Sequence, residues 1–150
     1  MSRRVSLLVL TLLVLTKAPA RTEWSRGGNG EVPLDGSGTS WVVRATINGK
    51  YTGSFLIDTG ASYCVLAPSV AERLAITPTG EHVVVQTANG TVSAPVVRVA
   101  TIDVGKNRAR DVLAVVHPAI GPPLAGVIGL SFLNNFSYGI DSKRRLLRLD

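Results

Sequence analysis

Asn48-Gly49 separates two runs of alternating, β-branched-rich sequence, residues 41–47 and 50–57. Such a dipeptide between such runs is the strongest short-range signal for a tight hairpin, so it commits this part of the chain to antiparallel β-structure. The pattern continues downstream. Residues 82–87 and 91–98 flank Ala88-Asn89-Gly90 as a second hairpin, and residues 99–104 and 111–116 are predicted strands around a polar turn at 105–110. Residues 138–140 and 146–149 close a last hairpin through Asp141-Ser142-Lys143, and residues 31–34 read as a short edge strand. Helical signals are few: Pro68 opens a short helix reaching residue 75, and a turn or two fits residues 131–135. The expected fold is all-β, a small closed barrel with one or two short helices.

The first twenty residues stand apart from this pattern. Arg3 and Arg4 precede an apolar run over residues 5–15, and Ala18-Pro19-Ala20 has the small-x-small form of a cleavage site. That is the layout of a signal peptide cleaved after Ala20, with a periplasmic or secreted destination. The apolar run is shorter than the ~20 residues that cross a bilayer. Lys17, inside the cleavage region, leaves open that the segment stays as an anchor, which is the one route to a membrane. Residues 21–40 are rich in Gly, Ser and Asn and read as a flexible lead-in apart from the edge strand. The domain is therefore placed at 31–150, after a lead-in at 21–30.

Charge and cysteine content exclude several classes of function. The formal net charge of +6 falls to +3 once Arg3, Arg4 and Lys17 leave with the leader. So small a surplus gives no footprint for nucleic acid, and Lys143-Arg144-Arg145 reads as a solvated hairpin tip. With Cys64 as the single cysteine, no intramolecular disulfide can form; its apolar setting, Tyr63-Cys64-Val65-Leu66, suggests a buried, inert thiol. Neither His82 nor His117 lies in a metal or nucleophile motif. The glycines between 27 and 38 lack the strand-to-helix frame of a phosphate loop. Neither a metal nor any other cofactor is implied.

The chemistry is concentrated in Phe55-Leu56-Ile57-Asp58-Thr59-Gly60-Ala61-Ser62. Three large apolar residues lead into a carboxylate, which is followed at once by a tight glycine turn. An isolated Asp-Thr-Gly is usually a turn or a cap; here the context suits a carboxylate on a rigid loop at the end of a buried strand. About 70 residues later comes Gly126-Val127-Ile128-Gly129-Leu130, an apolar run bounded by glycines.

With these two elements in this order, and the hairpin around Asn89 between them, the chain resembles the retropepsin-like aspartic proteases, in particular their exported, single-lobed bacterial members. The resemblance covers most of residues 31–150 and implies a barrel of the retropepsin type. It also implies peptide hydrolysis by two carboxylates sharing one proton, one acting as base toward a water and the other as acid toward the carbonyl oxygen. This chain has one Asp-Thr-Gly, and Asp103, Asp111 and Asp141 have no Thr-Gly after them. The second carboxylate would then be Asp58 of a partner in a two-fold homodimer, which makes dimerisation a condition of activity on a protein or peptide substrate.

By the same matching, Thr59 would bond the partner's loop, Gly60 would permit the tight turn, and Val127-Ile128-Gly129 would cross behind the loop and brace it. Ala88, Asn89 and Gly90 would belong to a substrate-covering flap. Ala61 stands where the two-lobed, acid-working relatives usually carry a hydroxyl bonded to the carboxylate, so a less acidic optimum is expected. Retroviral members usually have Asp at the place of Ser62 and Arg at that of Leu130, joined as an ion pair near the interface. Losing both together avoids a buried unpaired charge, and other contacts, such as apolar strands near the termini, must hold the dimer. The alternative is an exported binding module that keeps the fold without the chemistry.

Overall fold

The computed structural model describes residues 30–37, 40–87 and 90–150. The expectations for the signal peptide and for the lead-in up to residue 29 lie outside the described residues. The elements are β1 (Glu31–Pro33), β2 (Asp35–Ser37), β3 (Ser40–Ile47), β4 (Tyr51–Ile57), β5 (Cys64–Leu66), α1 (Pro68–Arg73), β6 (Pro78–Thr87), β7 (Gly90–Val104), β8 (Asn107–Val116), β9 (Gly126–Ile128), α2 (Leu130–Leu133), β10 (Tyr138–Asp141) and β11 (Leu146–Leu149). The all-β class with two short helices is as expected.

The hairpin at Asn48-Gly49 forms. Both residues have positive φ, 52° and 65°, as the twist-matched hairpin turn requires, and the Lys50 N–H closes it on the Ile47 carbonyl at 3.0 Å. The same turn docks on β7: the Asn48 side-chain oxygen accepts the Thr101 N–H at 3.0 Å. That contact sits beside the pairing of β3 with β7, which joins the two ends of the sheet. The strands run β3-β4-β9-β5-β8-β7 and return to β3, with β2 and β6 flanking the ring. A second, three-stranded sheet, β1-β11-β10, brings the described ends of the chain together.

Inside the ring the pleat does the sorting. Along β3 and β4 the alternate residues Val43, Ala45, Ile47, Phe55 and Ile57 are buried. They meet Leu66, Ile102, Ile128 and Phe132 in one core that reaches Leu147 and Leu149 of the second sheet. Pro68 occupies the first turn of α1, where its missing N–H costs nothing, and the helix buries Val70 and Ala71.

Two sequence expectations need correction. Residues 35–37 are not lead-in: they pair with residues 40–42 as an outer strand of the larger sheet. The polar turn at 105–110 is also shorter than expected, because β8 already begins at Asn107. Its polar residues face outward along a regular strand, where Arg108 bonds Asp103 across the hairpin at 2.6 Å, while Ala109 faces the core. The break comes later, at Asp111, whose φ of 53° sits between the pairs Thr101↔Arg110 and Val99↔Val112.

Candidate active site

β4 delivers Asp58 to its position. Phe55 and Ile57 point into the barrel, so Leu56 and Asp58 take the other face and line one hollow together. The loop that follows is short and heavily bonded. Asp58 donates its N–H to Ile128 O at 3.1 Å and its carbonyl accepts from Ala61 at 3.2 Å. The Gly60 N–H reaches the Asp58 carboxylate Oδ1 at 2.9 Å, which orients the carboxylate. A side chain at Gly60 would start 3.2 Å from that same oxygen.

The Gly129 segment lies against this loop. β9 runs parallel to β4, pairing Leu56 with Val127 and Ile57 with Ile128, and antiparallel to β5, pairing Val65 with Val127. The turn into α2 then ties the far side of the loop: Leu130 N–H to Ala61 O at 2.8 Å, Ser131 N–H to Ser62 O at 3.0 Å. Gly129 is packed so closely that a Cβ there would overlap the carbonyl oxygens of Tyr63 and Ala61. Asp58, Thr59, Gly60, Ala61 and Gly129 thus come together in one substructure. Thr59 and Gly60 are exposed and Ala61 is buried beneath them.

Two braces had no sequence signal. Ser131 Oγ accepts the Cys64 N–H at 2.8 Å, and the Cys64 sulfur accepts the Gly129 N–H at 3.4 Å. Burial pushes the Cys64 thiol up, against the smaller opposing effect of its hydrogen bonds, so it stays a protonated, structural group. Where the retroviral ion pair is missing, Ser62 and Leu130 are held by these backbone bonds, and Leu130 packs against the core.

A cleft opens between the loop and the β6–β7 hairpin. Ala61, Ser62, Tyr63, Val83, Val84 and Gln86 surround one part of it; Leu56, Asp58, His117, Ala119, Ile120 and Val127 surround the adjoining part, and Val65, Val85 and Val115 belong to both. Gly90 opens β7 with φ 114° and stands on that hairpin, while Ala88 and Asn89 lie outside the described residues. Among the described residues no other carboxylate lines the cleft. Asp103 is engaged by Arg108, Asp111 is exposed on β8, and Asp141 accepts from the Lys143 and Arg144 N–H groups in the last turn.

A closed barrel with Asp-Thr-Gly at the end of one strand and an apolar-apolar-Gly strand paired beside it defines a retropepsin-like fold. The described family of aspartyl proteases matches residues 43–132, which span both elements, and the chain belongs to that family. It is similar to the crystal structure of a retropepsin-like aspartic protease from Rickettsia conorii, with a TM-score of 0.57 and 25% identity, covering 80% of this chain and 89% of that one. It is also 37% identical over 92 residues to an uncharacterized protein in the cobV 5′ region of a Sinorhizobium species. That match takes in 60% of this chain and 39% of the relative, so the chain spans about two-fifths of that protein's length.

Proposed function

We propose that the protein is an aspartic endopeptidase that hydrolyses peptide bonds as a homodimer, each chain contributing Asp58. The observation that carries this reading is the cleft itself: the loop orients the Asp58 carboxylate toward it, and among the described residues Asp58 is the one carboxylate that lines it. Two such carboxylates in contact cannot both ionise, so the pair keeps one proton between them. The ionised member takes a proton from a water as that water attacks the peptide carbonyl carbon, and the protonated member donates to the carbonyl oxygen. The tetrahedral intermediate then collapses with cleavage of the C–N bond: the carboxyl that took the water's proton gives it to the leaving nitrogen, and a hydroxyl of the intermediate returns its proton to the other carboxylate. On the protein side, only the two carboxylates change protonation.

The remaining residues hold this geometry. Gly60 aims Oδ1 through its N–H, and exposed Thr59 is placed to bond the loop of a second copy. Gly129 braces the loop from behind, and the β6–β7 hairpin, on which Gly90 stands, covers the substrate. The outer strand β10 carries exposed Ile140, an apolar contact available to a second copy where the retroviral ion pair is absent.

Dilution tests the dimer requirement. Activity per chain is expected to fall as protein concentration drops through the dimer dissociation range followed by sedimentation. Constant activity per chain in a fully monomeric sample would overturn the two-carboxylate reading. Buried Ala61 offers the carboxylate no hydroxyl, so the pH–rate profile is expected to peak in the mildly acidic to neutral range. A maximum in strong acid would show that the missing hydroxyl is not what sets the optimum.

A further inference from the structure

The sheet β1-β11-β10 is open at both ends among the described residues, and the two edges differ. β1 is blunted: Pro33 lies on it, and Arg144 and Arg148 hold the Glu31 carboxylate at 3.1 and 3.2 Å. Proline and charge are the usual protections of an exposed strand. β10 has neither over Tyr138-Gly139-Ile140, and its Asp141 accepts the N–H groups of the following turn. Ser137 and Asp150 exchange backbone bonds at 2.8 and 3.0 Å just before β10, which sets the phase of its ladder with β11. Such exchanges recur at every second residue of an antiparallel pair. Gly139 therefore turns its N–H and C=O toward β11, and those of Tyr138 and Ile140 point out of the open edge. The side chains agree. Ile140 lies opposite Leu147, which is fully buried in the core, yet Ile140 on that same face is 36% exposed. The sheet ends before this face is covered.

We propose that β10 of a second copy completes this sheet, antiparallel about a two-fold axis beside Gly139, so that two three-stranded sheets become one. The choice of a second copy rests on the two-carboxylate reading of the cleft, and the edge itself is self-complementary. With Gly139 opposite the partner's Gly139, Tyr138 falls opposite the partner's Ile140, and Ile140 opposite the partner's Tyr138. Each of these pairs exchanges both N–H···O bonds, because the groups that point out of the edge belong to those two residues. Centring the axis on Tyr138 or on Ile140 would run the other residue past the end of the partner strand. The same register lays a tyrosine ring against each exposed isoleucine, the kind of cross-strand pair that stabilises sheets, and the two-fold axis repeats every contact. The edge is also close in sequence to the site. Residues 130–137 link β10 to Gly129, and within them Leu130 and Ser131 bond the loop that carries Asp58.

Sedimentation of the wild type is expected to show a concentration-dependent dimer. Ile140→Lys places a charge on the edge and should raise the dimer dissociation constant by roughly tenfold or more. Ile140→Pro removes an N–H that β11 does not use, so the chain keeps its own sheet while the dimer is weakened as much. Ile140→Val should leave the dimer unchanged, and circular dichroism checks the fold of each variant. Gly139→Cys should cross-link two copies under mild oxidation, because the Cα atoms of such a pair lie about 4.5 Å apart, within disulfide reach. The wild type, whose Cys64 is buried, should not cross-link. If the Ile140 variants fail to fold, the Gly139→Cys cross-link decides alone. A sample monomeric at every concentration would overturn the proposal and leave the edge to another segment of this chain or another protein. So would a dimer indifferent to both Ile140→Lys and Ile140→Pro, or the absence of the cross-link. A dimer joined at this edge that cleaves no peptide would end the protease reading and leave the assembly standing; an active dimer indifferent to these changes would do the reverse.

Discussion

Asp58→Asn is expected to lower peptide hydrolysis by at least roughly a thousandfold, near the upper range for loss of general acid–base catalysis. The substitution is nearly isosteric, and its side-chain oxygen can still accept the Gly60 N–H that now reaches Oδ1 at 2.9 Å. The Asp58 N–H bond to Ile128 O is a backbone contact and is untouched. What disappears is the exchangeable proton, and in a homodimer it disappears from both halves of the site at once. Thermal unfolding and sedimentation of the variant should therefore match the wild type while cleavage of a peptide library is lost. Cleavage by purified Asp58→Asn at a rate close to the wild type would place the chemistry elsewhere.

The second large effect is structural and lies behind the loop. Gly129→Ala is expected to cost about 3 kcal/mol or more, in the range of severe overpacking. The added methyl overlaps two backbone carbonyl oxygens, those of Tyr63 and Ala61, and neither can rotate away as a side-chain tip would. Relief requires moving the strand that pairs with Ile57 or the turn that carries Ala61, so activity should fall with stability. Gly121→Ala is the matched control: an added Cβ there meets nothing within 4 Å, and a change within about 0.5 kcal/mol is expected for an open surface site. Denaturant titrations at one fixed protein concentration make the comparison, since association adds to the apparent stability. Equal midpoints for the two variants would refute the close-packing account of Gly129.

The elements legible in the sequence were those whose signal is local. Asn48-Gly49 announces its hairpin because the turn's positive φ values suit those two residues and few others. Asp58 and Gly129 each follow an apolar run, residues 55–57 and 127–128, which marks both stretches, but only the resemblance to a known family joined them into one set. β5 was not legible. Cys64, Val65 and Leu66 are all buried and show no alternation, and they form a strand only because β8 and β9 arrive on either side. The stretch 107–110 misled for the opposite reason, since a solvent-facing strand edge and a polar turn share one composition. His117 and Ser131 illustrate the limit. A lone histidine or serine carries no local pattern, and each gained its place from residues far away in the chain.

The parallel pairing of β4 with β9 has a consequence for when the loop around Asp58 takes its shape. The loop around Asp58 takes its shape from partners about 70 residues downstream, and the chain between them must be gathered before those bonds repay the lost entropy. Topologies dominated by such distant pairings fold slowly. The shape of the Asp58 loop is thus a late property of the chain, arriving when β9 docks beside β4. A chain that has formed only its local hairpins already contains Asp58, but its loop still lacks the bonds to Ile128 O and from the Leu130 N–H that hold it in place.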